Sequence, residues 1–267
     1  MKVEMRRKVA ACFALAGILS YTGRVGAQTA QNSPLKSDPD RTKAAKENND
    51  KAIPSNALLE QLNAATQNKQ WQQAADLSKQ LIAMKPDTWL YRQSLGSALL
   101  SLGQYDEAVN SYDTGIKLAQ MELSSKAPDT DIAKAKAGIA AMLTSEGNAY
   151  LKLKKSDLAV AAYEKAAELI PNPAVAYFNI CAVQYNTGNT NGAMQACDRA
   201  IAADPNKADA YFIKGSLLIA DSKVDAQGKM TAPPGAVEAL KKYLELAPSG
   251  AHAPDVKAML DLVGAKQ

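Results

Sequence analysis

Histidine is almost missing from this chain: one residue in 267, His252. A histidine-rich metal centre is therefore excluded, and a Ser-His-Asp triad would have to use that residue. Aromatic residues are only 6%, and most of them are tyrosine, so a core must be built largely from Ala, Leu and Tyr. Gly and Pro, 15 and 12 residues, are too few for a disordered or collagen-like chain. There is no Gly-rich phosphate loop, no nucleophile elbow, no metal-ligand cluster and no pair of acids placed for catalysis. His252 lies in Ser249-Gly250-Ala251-His252-Ala253-Pro254, which reads as a surface turn. The chain is read as non-catalytic, with no cofactor and no bound metal. What it does have is 47% apolar and 22% charged residues, the balance of a folded soluble protein.

The net charge of +4 sits at one end. Lys2, Arg6, Arg7, Lys8 and Arg24 oppose only Glu4 in residues 1–27, so the remainder is balanced. A basic start, the apolar run Val9 to Leu19 and the small residues Val25-Gly26-Ala27 have the three-part form of a secretory signal. Cleavage is expected after Ala27, leaving a periplasmic or secreted protein. The apolar run is well short of the ~20 residues that span a bilayer. Cys12 follows only a short apolar stretch, so it reads as part of the signal and not as a lipidation site. The balanced remainder has no basic excess to attract phosphate backbones, which argues against nucleic acid as a partner. Residues 28–54 are polar, carry Pro34, Pro39 and Pro54, and read as a disordered linker.

Beyond residue 54 a repeat dominates. Ala159, Tyr163, Ala166 and Pro171 form a ladder with steps of 4, 3 and 5. Ala193, Cys197, Ala200 and Pro205 repeat it, as do Ala236, Leu240, Tyr243 and Pro248, and more loosely Ala74, Ser78, Leu81 and Pro86. Leu95-Gly96, Glu146-Gly147 and Lys214-Gly215 hold one equivalent upstream pair. Each unit reads as two amphipathic helices joined by a short turn. Gly103 suits a left-handed helix end, and Thr187-Gly188-Asn189-Thr190-Asn191 has the same role two units later. Ser156 or Asp157 is the expected cap of the helix that follows them.

This pattern resembles the tetratricopeptide repeat. In that frame units begin near Ser55, Trp89, Ala140, Ala174 and Ala208, with offsets of 34, 51, 34 and 34. Their spans are near 55–88, 89–122, 140–173, 174–207 and 208–249. The resemblance implies an all-α fold, a right-handed superhelix of about five helix-turn-helix repeats over 55–249. Residues 250–267 supply a capping helix and tail, with Val256, Met259, Leu260 and Val263 on one face. Repeat 1 has Leu62 where a small Gly is usual; repeat 2 has Gly115 for Ala and Gln120 for Pro.

Two insertions interrupt the period. The longer offset predicts that the second helix of repeat 2 and the first helix of repeat 3 are each extended by about two turns. They would be joined by a turn at Lys126-Ala127-Pro128-Asp129-Thr130. Within Asp221 to Gly235 an added segment containing Gly228 and Pro233-Pro234-Gly235 reads as loop.

Cys181 and Cys197 fall at positions 8 and 24 of repeat 4, facing each other across the helix pair. In an oxidising compartment they are expected to form a disulfide. Proteins of this family hold peptides or partner proteins on the inner face of first helices. Counting in the frame puts Gln93, Ser97, Thr144, Asn148, Leu151, Phe178, Asn179, Tyr185, Asp209, Phe212 and Ser216 there. Asn148 and Asn179 match the two Asn positions of members that clamp a carboxyl terminus, but Thr144, Asp209 and Ile213 stand where those members have cations. Clamp function is therefore not carried over. The reading that results is a non-catalytic scaffold binding a protein or peptide in an exported, cell-envelope complex, with no small-molecule substrate. Two alternatives stand beside it: a thiol-linked periplasmic redox partner using Cys181 and Cys197, and an accessory subunit of an enzyme.

Overall fold

A computed structural model describes residues 55–125, 131–224, 226 and 230–265. The expected signal (1–27), linker (28–54), hairpin turn (126–130), Gly228 and the last two residues lie outside the described residues. The unit from Ala57 onward is helical almost throughout. Helix α1 covers 57–67 of it. There follow α2 (Trp71–Met84), α3 (Trp89–Ser101), α4 (Tyr105–Ser125), α5 (Ile132–Lys152), α6 (Ser156–Ala167), α7 (Ala174–Thr187), α8 (Thr190–Ala203) and α9 (Ala208–Ala220). A two-stranded hairpin, β1 (Lys223–Val224) and β2 (Met230–Thr231), precedes α10 (Ala236–Leu246) and α11 (Ala253–Leu262).

The repeat is visible in the backbone itself. Lys69, Gly103, Lys154 and Gly188 all have positive φ, between 57° and 80°, at successive offsets of 34, 51 and 34. After each, the next amide donates to a carbonyl five residues back: Gln70 to Ala65, Gln104 to Leu99, Lys155 to Tyr150 and Asn189 to Gln184. This bond satisfies a carbonyl that the ending helix leaves unpaired and turns the chain into the second helix. Asn189 then caps α8, accepting from Gly192 N at 3.1 Å. At α6 the cap position falls on Lys155, with no side-chain bond; Ser156 and Asp157 are already inside the helix. That expectation is corrected, because the left-handed Lys154 moves the helix start one residue earlier.

Proline ends second helices: Pro86, Pro205 and Pro248 each follow directly on a C-cap residue. Repeat 2 has Gln120 at that place, and α4 runs on to Ser125. Both α4 and α5 are 21 residues long, against 12 for α6 and 14 for α8. The added turns are not loose. Trp89 lies between them, 5% exposed, and its indole N–H donates to Glu122 at 2.8 Å. On the other side its ring occupies the space where a side chain at Gly138 would stand. Asp131 caps α5 by accepting from Lys134 N at 2.9 Å.

Among its described residues the insertion in repeat 5 has no helix between Asp221 and Gly235, but it holds a short antiparallel ladder pairing Lys223 with Thr231 and Val224 with Met230. Helix α11 buries Val256, Met259 and Leu260, while Val263 is its C-cap residue. Among the described residues no helix is long and apolar enough to cross a membrane.

Candidate functional site: the first-helix face

From α2 onward each helix packs on the next in chain order, and first helices also meet across repeats, α3 on α5 and α7 on α9. No pair of second helices makes comparable contact among the described residues. First helices thus lie against one another on one side of the array at these two boundaries, the side that the repeat frame counts as its inner face. In repeats 2, 3 and 5 a glycine on the first helix is met by a large side chain on the second. A Cβ at Gly96 would stand 2.5 Å from the Tyr112 ring, one at Gly147 2.5 Å from Tyr163, and one at Gly215 2.6 Å from Leu240. In repeat 4 these same two positions hold Cys181 and Cys197, both fully buried and joined as a disulfide with Cα atoms 5.1 Å apart. A covalent bond there takes the place of the glycine–aromatic contact.

The inner face carries Gln93, Ser97, Thr144, Phe178, Asn179 and Tyr185 half-buried, with Asn148 and Leu151 exposed. Leu90 and Val175 are exposed beside them. Most of its hydroxyls are turned back on their own helix. Ser94 donates to Leu90 O at 3.0 Å, Ser97 to Gln93 O at 3.0 Å, Ser101 to Ser97 O at 2.9 Å and Thr144 to Ala140 O at 2.8 Å. Amide side chains and apolar surface make up the rest of the face. Phe178 lies under Lys207, whose Nζ is 4.8 Å from the ring centre. Tyr177 accepts from Arg199 at 2.7 Å.

Phe212 and Ser216 are not on an open surface. Phe212 is fully buried and Ser216 is 6% exposed, its hydroxyl bonded to Phe212 O. The frame counts a face, but the face of the last repeat is covered: α11 packs against α9. His252, read from sequence as a turn residue at the surface, is likewise buried at 8% exposure. It stacks flat on Phe212 with ring centres 4.0 Å apart, and its backbone N–H donates to Tyr243 Oη at 3.0 Å. Its ring serves the cap. Among the described residues no group of three or more His, Cys, Asp or Glu side chains is placed to hold a metal.

Counting along first helices missed the tyrosines that reach this face from behind. Tyr163 on α6 is 1% exposed, and its hydroxyl donates to Asn148 Oδ1 at 2.7 Å. Tyr112 on α4 does the same to Ser97 Oγ at 3.3 Å. Burial pushes both phenols above their ordinary pKa, so they stay protonated donors. The signal was present in sequence as a glycine followed sixteen residues later by tyrosine.

A second recess lies at the foot of the α4–α5 extension. It holds about 230 Å³ and is lined by Asp87, Trp89, Leu90, Glu122, Asp131 and Lys134 among others. Two of its carboxylates are already engaged, Glu122 by Trp89 and Asp131 by the start of α5.

Residues 59–122 and 140–173 match family models of the tetratricopeptide repeat. Over 121 residues the chain is 32% identical to the small glutamine-rich tetratricopeptide repeat-containing protein 2 of Mycosarcoma maydis. That match takes in 45% of the chain and spans only 30% of the relative. Among solved structures, YrrB, titled a TPR protein with an unusual peptide-binding site, superposes with a TM-score of 0.54 at 19% identity, covering 81% of this chain and 97% of its own. A MamA protein gives 0.54 at 20% identity, covering 73% and 92%. MamA from Desulfovibrio magneticus gives 0.54 at 19% identity, covering 74% and 97%. At these identities the solved structures speak for the fold: a tetratricopeptide solenoid.

Proposed function

We propose, for a chain built on tetratricopeptide repeats, that it is a non-catalytic scaffold whose first-helix face holds an extended segment of a protein partner in an exported complex. The observation that carries this reading is the composition of that face. Gln93, Asn148 and Asn179 present amides, while the hydroxyls between them are spent on their own helices. Exposed Leu90, Leu151 and Val175 lie among the amides. Amides read a peptide backbone, and apolar surface takes alternate side chains. A peptide-binding site is named for YrrB, whose fold this chain shares, and that is consistent with the proposal. Export is supported by the basic start, apolar run and Val25-Gly26-Ala27. Cleavage after Ala27 belongs to the same proposal, as does retention of the Cys181–Cys197 bond in an oxidising compartment.

The test is crosslinking in envelope fractions, comparing the natural chain with a double variant, Asn148→Ala plus Tyr185→Ala. Partners recovered by the first and lost by the second support the reading. Equal recovery removes the inner face from it.

A further inference from the structure

We propose that Tyr163, a residue of the second helix of repeat 3, sets the polarity of the groove by holding Asn148 with its amide nitrogen outward, so that this point accepts only a hydrogen-bond acceptor such as a peptide carbonyl. The inference rests on the inner-face reading above and adds to it a residue that does not itself touch the ligand.

The geometry is specific to this repeat. Gly147, directly before Asn148, has no side chain to stop the Tyr163 ring from passing beneath α5. The hydroxyl then meets Asn148 Oδ1 at 2.7 Å. A phenol oxygen that donates to the carbonyl end of an amide leaves the NH₂ end for other partners. Asn148 is exposed, so that end faces the groove. Burial raises the pKa of Tyr163, and the phenol keeps its proton across the physiological range.

The equivalent tyrosine in repeat 2 cannot do the same. Tyr112 donates to Ser97, but the single proton of Ser97 already goes to Gln93 O. No donor is left to deliver there. In repeat 4 the matching position is Cys197, which has no hydroxyl and is bonded to Cys181. Among these three repeats, only the second-helix residue of repeat 3 fixes an exposed donor. A ligand is thereby held in register, because one of its acceptors must fall at Asn148.

The experiment uses linear peptides selected from a random display library against the full chain, with affinities measured by calorimetry. Asn148→Ala is expected to weaken the selected peptides by about fivefold, one hydrogen bond's worth. Tyr163→Phe keeps the ring and is expected to weaken them to within about twofold of that value. In the same variant the paired side-chain NH₂ signals of Asn148 in the NMR spectrum shift and narrow in separation, as the amide gains freedom. Asn148→Asp retains the bond from Tyr163 but presents an acceptor, and is expected to weaken binding more than Asn148→Ala. Tyr243→Phe, a buried tyrosine of the last repeat with no hydrogen bond to Asn148, controls for a merely structural loss and leaves affinity unchanged. Loss in Asn148→Ala with none in Tyr163→Phe overturns this inference and leaves the inner-face reading standing. Should Tyr163→Phe fail to fold, Asn148→Asp decides: binding as tight as in the natural chain overturns the inference. Selection of no peptide, or no effect of Asn148→Ala, removes the inner-face reading and this inference with it.

Discussion

Glu146 stands at a place in the repeat where Leu95 and Ile180 stand elsewhere, and it is 6% exposed. Burial raises its pKa above the ordinary 4.5, Asp113 adds to the rise, and Tyr150 and Lys165 act against it. A carboxyl with a raised pKa in the folded state binds its proton more tightly there than in the unfolded chain. Its contribution to stability is therefore full below the ordinary value and is lost as pH climbs through the raised one. Glu146→Gln should raise the melting temperature at neutral pH and flatten its decline between mildly acidic and neutral pH. An unchanged pH profile in thermal melts would show that another group governs it. The left-handed turn residues allow a second comparison at this scale. Lys154 adopts φ 60° and Gly103 adopts φ 79° in equivalent turns. A side chain disfavours that region by roughly 1 kcal/mol, so Lys154→Gly should stabilise by up to that amount and Gly103→Ala should destabilise by as much. Urea titration measures both, and the two signs must be opposite.

The extension formed by α4 and α5 is the element whose existence was legible and whose anchoring was not. The longer offset announced longer helices. Nothing in the spacing said that Trp89 would be clasped between them, with Glu122 on one side and Gly138 on the other. That contact joins residues far apart in the chain, and amphipathic periodicity carries no term for it. Gly138→Ala pushes a methyl group into the indole ring and should cost about 1–3 kcal/mol. Limited proteolysis should then cut earlier within 121–137 than in the natural chain. Equal resistance of variant and natural chain would mean that the extension does not depend on this packing. The caps show the same division. Asn189 and the left-handed Gly188 were readable from local residue type. The cap at α6 was not, because a lysine in the left-handed region carries no glycine or asparagine to mark it.

At the scale of the whole molecule, stability in a stacked array comes from each unit and its neighbours and not from one centre. The Cys181–Cys197 bond closes a loop of sixteen residues and should contribute about 3 kcal/mol on a chain-entropy account. Its loss should be felt where it sits. Cys181→Ser with Cys197→Ser is expected to lower amide exchange protection in α7 and α8 well before α3 and α4. Uniform loss of protection along the chain would show that the array melts as one block.

Sequence by itself determined the helical repeat, its register, the two interruptions and the meeting of Cys181 with Cys197, because each follows from periodicity and from residues within one unit. Tertiary structure alone decided which frame positions stay open. Phe212, Ser216 and His252 have the right spacing for a face or a turn, yet all three are buried, with His252 at the start of α11 stacked on Phe212. Tyr163 lies on the wrong helix for the face, yet reaches Asn148 beneath it. Period counts positions around one helix; exposure depends on what the next helix sets against it, and that is a fact of packing between units.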